Sequence, residues 1–424
     1  MTRSTSRAFY TILAAQFFSS LADNALLAAS VILLAEMLAD SSLEPMLKAF
    51  FTISYVLLAP FVGAFADSRP KGQVMFITNS IKIIGASIML FGVHPLMAYA
   101  VVGLGAAAYS PAKYGIITEL LPAEKLVVAN GWIEAATVLS IIFGTATGAL
   151  LAKSNVQVWF HSLFPFTSFT PATTAIFIIC LIYALAAILN RLIPDTGVRY
   201  EKQAHRVGAL IKDFWHCNMT LWRDKLGQIS LAITTLLWGV AAVMQFIILD
   251  WAQQDLGQTK NDSFVMQAFV GIGSTIGAIL AARFIAMRRA TSVIPLGMLL
   301  GVSLISLLWI RSVYIAFPLM VMIGALGGFF LVPMNAMLQH RGYVLLSAGH
   351  SIAVQNFNEN LSILLMLSIY AGLKYFHVPL HTAIVLFIVF ITVLMMMFYR
   401  WYLYNKKHHD ADKLIEEIAH HEHI

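Results

Sequence analysis

Apolar runs long enough to cross a bilayer occupy most of this 424-residue chain. They lie near 8–38, 46–66, 73–93, 95–118, 126–152, 171–191, 227–250, 264–285, 292–310, 314–338, 346–374 and 377–404. A helix needs about 20 apolar residues to span the hydrocarbon core, and each run meets that length. The pattern predicts an all-α membrane protein with twelve transmembrane helices. Only 11% of the residues are charged and 59% are hydrophobic, against about 25% charged in a soluble domain. That balance excludes a soluble core.

The longest polar break, 192–226, follows the sixth run. It separates two six-helix halves, 1–191 and 227–404, and leaves 405–424 as a tail. With the N-terminus in the cytoplasm, the inside segments carry 20 Lys and Arg, while the outside segments carry 5: Lys48, Lys153, Lys260, Arg311 and Lys374. Lys82 and Lys113 fall within runs. Such a bias is the positive-inside signature and puts both termini and the linker in the cytoplasm. The first run is longer than the apolar region of a signal peptide and lacks a clear cleavage site, so the first helix is expected to be kept. In the linker, Val207, Leu210, Ile211, Phe214 and Trp215 follow helical spacing, with Lys202, Arg206 and Lys212 nearby. They predict an amphipathic helix lying on the inner leaflet. Two cysteines, Cys180 and Cys217, are too few for a disulfide framework. The net charge of +6 reflects topology rather than nucleic-acid binding. Gly105 and Pro111 match Gly327 and Pro333 at an offset of 222 residues, a faint internal repeat of the halves.

Polar residues inside the runs carry the functional signal. Asp23-Asn24 interrupts the first run, and Gln355-Asn356 with Glu359-Asn360 interrupts the eleventh. A charge in hydrocarbon is costly unless it faces a partner or a wet cavity, so these groups mark a polar path. Asp23 lies about 21 Å into its run and Glu359 about 18 Å, counting roughly 1.5 Å per helical residue. Both depths are near the middle of a core about 30 Å thick. Lys113, Lys82 and Glu134 lie nearer the cytoplasmic end. Between the second and third runs stands Gly63-Ala64-Phe65-Ala66-Asp67-Ser68-Arg69-Pro70-Lys71-Gly72. There Gly63 allows close helix packing. Asp67 is suited to a hydrogen-bonded or ion-paired latch between conformers.

The spacing of Gly63, Asp67 and Lys71 resembles the cytoplasmic loop motif of the major facilitator superfamily, with Pro70 where that family usually has glycine. A narrower resemblance rests on Ala14-Ala15-Gln16-Phe17 with Asp23 to Leu27, on Gly105 to Gly115, and on Ala353 to Asn356 with Glu359-Asn360. These segments are similar to the bacterial lysophospholipid transporters. The resemblance implies the major facilitator fold in the bacterial inner membrane. It also implies inward movement of lysophospholipids for re-acylation by an acyltransferase/acyl-carrier-protein synthetase. That partner is expected to be a separate protein, because this chain ends soon after the twelfth run. The family's basic residue in the seventh span is replaced by Gln245.

Given such a substrate, Asp23 and Glu359 would take an ammonium or a proton, and Asn24, Gln355 and Asn356 would donate to ester or phosphate oxygens. Lys113 would balance the phosphate as a compact charge. Gly63, Asp67 and Lys71 would govern conformational exchange. Lys113 or Lys82 could instead neutralise Glu134, and Lys82 with Glu134 is the favoured structural pair. The competing readings are a proton-coupled exporter of amphipathic drugs, with Asp23 or Glu359 as proton carrier, and an intramembrane lipid enzyme. Against the enzyme, the chain has no nucleophile elbow, zinc-ligand spacing, phosphate loop or His-x-x-x-x-Asp pattern. No cofactor and no metal are expected. His408, His409, His420, His421 and His423 read as part of a solvated tail, and the expected assembly is a monomer.

Overall fold

The computed structural model describes residues 3–38, 43–165, 169–201, 206–258 and 260–409. Within them the chain forms α1 (Arg3–Glu36), α2 (Leu43–Asp67), α3 (Lys71–Leu90), α4 (Pro95–Leu120), α5 (Leu126–Leu151), α6 (Ser154–Leu163) and α7 (Pro171–Arg191). It continues through α8 (Val207–Arg223), α9 (Gly227–Gln254), α10 (Lys260–Phe284), α11 (Leu296–Ser303), α12 (Val313–Leu345), α13 (Ala348–Tyr375) and α14 (Leu380–His409). Among the described residues there is no strand. A helix satisfies its backbone polar groups within one segment, which is what a chain in lipid requires.

Ten segments among the described residues are long and apolar enough to cross a membrane. Two further helices, α4 with 26 residues and α13 with 28, coincide with predicted runs. Each is roughly 40 Å long at about 1.5 Å per residue. Their apolarity is diluted by polar residues: Ser110 and Lys113 in α4, and His350, Gln355, Asn356 and Glu359 in α13.

Contacts divide the chain into two compact units. The first comprises Met1–Leu120, Leu139–Trp215 and Ser347–Val354; the second comprises Leu121–Val138, His216–Leu346 and Gln355–Ile424. In the first unit α2 packs on α4, α1 on α7, α3 on α7 and α3 on α4. In the second, α10 packs on α12, α9 on α14, α11 on α14 and α11 on α12. These are the same pairings one half later, so the internal repeat is expressed in packing. Its glycine landmark is not: a Cβ at Gly105 would lie 2.8 Å from Lys82 Cγ, whereas one at Gly327 would meet open space. Close approach in the second unit instead uses Gly273 and Gly277 of α10 against Gly324 and Gly328 of α12, where an added Cβ would strike the facing backbone.

Three elements depart from expectation. The ninth run is a broken helix: 3₁₀ turns at Met287–Val293 and Leu304–Leu308 flank the short α11. Pro295 precedes α11, and Ser303 and Ser306 bond back to the carbonyls of Leu300 and Ser303. Both features loosen a regular helix. Helix α6 was not expected at all; it is short, and Phe160 is its buried anchor. Helix α8 forms where predicted, but its buried stripe is Phe214, Cys217, Asn218 and Leu221, while Val207, Ile211 and Trp215 stay exposed. Lys202 and the tail from 410, including His420, His421 and His423, lie outside the described residues.

Candidate functional site

In the first unit α1, α3 and α7 converge on Asp23. Its Oδ2 lies 2.8 Å from Lys82 Nζ, and its Oδ1 accepts a hydrogen bond from the Tyr183 hydroxyl at 2.6 Å. Lys82 also donates to Ser19 Oγ at 3.1 Å, and Ser19 donates to Asn79 Oδ1 at 2.8 Å. The ammonium stands 4.8 Å from the centre of the Tyr109 ring. This network meets the requirement that an intramembrane charge be paired. The pair is lopsided, because the Asp23 side chain is 17% exposed and that of Lys82 only 1%. The carboxylate therefore presents an open edge while its counter-ion is enclosed.

That geometry corrects the expected Lys82–Glu134 pair: the carboxylate that holds Lys82 is Asp23. Pairing follows from position, since Ser19 and Asp23 sit one turn apart on α1 while Asn79 and Lys82 share a face of α3. Tyr183, Ser19 and Asn79 were missed by sequence reasoning. The only signal for them was polar atoms at helical spacing within apolar runs. Asn24 is partly buried, and its amide donates to the Ser20 carbonyl at 2.8 Å, so its donor faces its own helix. Lys113 is buried, with its ammonium 4.0 Å from the centre of the Tyr114 ring.

In the second unit Glu359 of α13 is buried. It accepts from Gln355 Nε2 at 2.8 Å. Gln355 Nε2 also donates to Asn335 Oδ1 of α12 at 3.1 Å. Asn356 is buried beside this group, and its carbonyl accepts from Asn360 Nδ2 at 2.8 Å. Two features were not anticipated. Asn358 bonds Asn218 at 2.8 Å and Trp222 at 3.2 Å, joining α13 to α8. Asn130 and Gln339 exchange two amide hydrogen bonds, of 2.8 and 2.9 Å, between α5 and α12. Gln245 is exposed, and its backbone carbonyl accepts from Gln267 at 2.6 Å.

A third cluster, in the first unit, surrounds Asp67 at the end of α2. Its carboxylate accepts from Lys71 Nζ at 2.6 Å, from the backbone N–H of Gly349 at 2.9 Å and from the hydroxyl of Ser347. His350 Nδ1 lies 2.9 Å from Asp67 Oδ2, and its Nε2 lies 3.1 Å from Asp213 of α8. Lys71 is also 3.4 Å from Glu119. Expected in an open loop, Asp67 and Lys71 are instead buried at the facing ends of α2 and α3. Free N–H groups of the first turn of a helix favour an anion, and here the start of α13 supplies them to Asp67. The approach demands glycine on both sides. A Cβ on Gly349 would stand 2.6 Å from Asp67 Oδ1, and one on Gly63 would stand 3.0 Å from His350 Cα. Pro70 opens α3 with φ −52°, a value its ring imposes, so the departure from the family's glycine is accommodated as a helix start.

Residues 12–367 match the family description Major Facilitator Superfamily. Among curated relatives, the chain is 40% identical over 375 residues to "Lysophospholipid transporter LplT" of Yersinia enterocolitica serotype O:8 / biotype 1B, covering 88% of this chain and 89% of that protein. It is 39% identical over 367 residues to the protein of the same name from Yersinia pestis strain Pestoides F, covering 86% of each. Solved structures share the fold at low identity. A single-residue variant of the E. coli fucose:proton symporter FucP superposes with a TM-score of 0.72 at 12% identity, covering 94% of this chain and 99% of that one. A bacterial homologue of the iron transporter ferroportin, in an outward-facing state, gives 0.69 at 12% identity with the same coverage. With its helical pairings, its buried Asp67 cluster and these relatives, the chain belongs to the major facilitator superfamily and, within it, to the lysophospholipid transporters.

Proposed function

We propose that this protein moves lysophospholipids such as lysophosphatidylethanolamine inward across the bacterial inner membrane by alternating access, supplying a separate acyltransferase/acyl-carrier-protein synthetase that re-acylates them. The observation that carries this reading is the half-open Asp23–Lys82 pair. Phosphoethanolamine is a zwitterion, and a carboxylate with one exposed edge offers its ammonium a partner without first breaking the internal pair. Lys113 adds a second positive charge for the phosphate. Asn24, with its amide turned to its own helix, must rotate to join them. The acyl chain needs only an apolar groove, so the polar set can stay sparse. Both termini are cytoplasmic in this reading, and the exposed apolar stripe of α8 rests on the inner leaflet. Gly63, Asp67 and Lys71 set the exchange between conformers through the Asp67 cluster, and the protein acts as a monomer.

The test is flux of labelled lysophosphatidylethanolamine into proteoliposomes, alongside re-acylation in cells that lack their own uptake. Cells expressing the chain with the acyltransferase present should convert exogenous lysolipid to diacyl lipid. Lysolipid that stays unacylated there would refute the assignment.

A further inference from the structure

Helices α9 and α13 end, and α14 begins, around a small pocket of the second unit. Asp250 of α9, with Tyr370 and Lys374 of α13, makes its polar wall, and Leu373, Val378 and Ala383 make its apolar one. The Asp250 carboxylate accepts from the Tyr370 hydroxyl at 2.7 Å and from Lys374 Nζ at 2.8 Å. Both contacts land on Oδ2, so among the described residues Oδ1 carries no hydrogen bond. Lys374 stands at the rim: its side chain is 59% exposed, against 20% for that of Asp250. An ion pair so exposed contributes little to folding. It also commits one of the three ammonium donors of Lys374 and leaves the others for a ligand.

The turn beyond α13 shapes that rim. The Val378 N–H donates to the Leu373 carbonyl at 3.0 Å, and His377 takes φ 55°. A left-handed residue at a helix end is usually glycine, and it turns the chain sharply. Leu373, Lys374 and Val378 are thereby brought to one pocket. Its volume is about 60 Å³, room for roughly four to six water-sized groups at about 10–15 Å³ each. The aminoethoxy arm of a phosphoethanolamine fills such a space with its nitrogen, its two carbons and its ester oxygen.

We propose that this pocket is a docking site for the headgroup of lysophosphatidylethanolamine, built from residues other than Asp23 and Lys113. The ammonium donates to Asp250 Oδ1. Lys374 keeps its bond to Oδ2 and gives a second donor to a phosphate oxygen, while the apolar wall takes the methylenes. One carboxylate and one ammonium meet a headgroup that carries one charge of each sign, so docking makes two charge-assisted contacts and leaves no charge unmatched. In the topology proposed above these helix ends face the periplasm, so docking precedes inward movement. The proposal rests on the transport reading and adds a first step to it.

The experiment uses the full chain in liposomes of phosphatidylcholine, with uptake of labelled lysophosphatidylethanolamine followed over a range of concentrations. Unlabelled lysophosphatidylglycerol, which has the phosphate but no ammonium, is the competitor. Asp250→Asn should raise KM for lysophosphatidylethanolamine at least fivefold with kcat within about twofold, and leave the inhibition constant of lysophosphatidylglycerol within about twofold. Lys374→Met should raise both constants at least threefold. Each variant should melt within a few degrees of wild type. A merely structural pair would make the two variants act alike on both lipids, and that result overturns the proposal. So does a collapsed melting temperature in either variant, an unchanged KM in Asp250→Asn, or a failure of lysophosphatidylglycerol to compete in the wild type. Glycerophosphoethanolamine, which lacks the acyl chain, should compete at least tenfold more weakly than unlabelled lysophosphatidylethanolamine. Equal competition would make this a site for free headgroups and overturn the lipid assignment. Normal wild-type uptake with unaltered variants removes the docking site alone, whereas absence of wild-type uptake under every condition would overturn the transport reading and this proposal together.

Discussion

Lys82 is enclosed, and its charge is matched by a single carboxylate, so a substitution there separates pairing from transport. Lys82→Met strands the Asp23 carboxylate at midspan. Breaking one side of a buried pair is expected to destabilise by about 3–5 kcal/mol. Asp23→Asn strands the ammonium in the same way, so neither single variant is a pure transport lesion. The double variant Asp23→Asn/Lys82→Met should recover most of the lost thermal stability but little of the flux. A Lys82→Met protein that melts like wild type would show that the pair contributes nothing to the fold. Tyr183→Phe removes a hydrogen bond to the charged group and should cost about 1.5–3 kcal/mol, read as a lower melting temperature.

The element that the Asp67 cluster governs is the start of α13. Its first-turn N–H groups, the Ser347 hydroxyl and His350 all converge on one carboxylate at the end of α2. Asp67→Asn keeps the shape but removes the charge that holds this contact. It should slow transport several-fold while equilibrium lysolipid binding changes by less than about threefold, a fraction of the 1.4 kcal/mol that a tenfold change represents. A large loss of binding with unchanged exchange would assign Asp67 to recognition instead. Gly349→Ala tests the same contact by volume rather than charge. The new methyl would collide with Asp67 Oδ1 and the Gly63 carbonyl, both 2.6 Å away, so the contact must part. The same slowing should follow, with charge intact, and normal kinetics in Gly349→Ala would contradict the role of this contact.

For the whole molecule the prediction is topological. Twenty basic residues on one set of segments against five on the other predict that both termini and α8 lie in the cytoplasm. An engineered cysteine near Arg206 should react with a membrane-impermeant thiol reagent only in inverted vesicles. Labelling in intact spheroplasts would reverse the orientation. Native Cys180 and Cys217 are both largely enclosed, but a background lacking them keeps the readout clean.

What the sequence determined by itself is whatever depends on one segment at a time. Run length and composition specify helices, because lipid leaves a chain no other way to satisfy its backbone. The position of the polar interruptions marked Asp23, Glu359 and the Asp67 motif, because a charge in an apolar run is visible without knowing its neighbours. Pairing is different. That Lys82 serves Asp23 rather than Glu134 and that Tyr183 completes the pair were decided by which helix faces meet. Those faces come from residues 59 and 160 positions apart. The same limit hid the break at α11, where packing and back-bonding override an apolar run, and the burial of Lys71, which local sequence assigns to a loop. Tertiary structure decided these because a buried charge takes its partner from the nearest facing helix, and sequence spacing does not encode that neighbour.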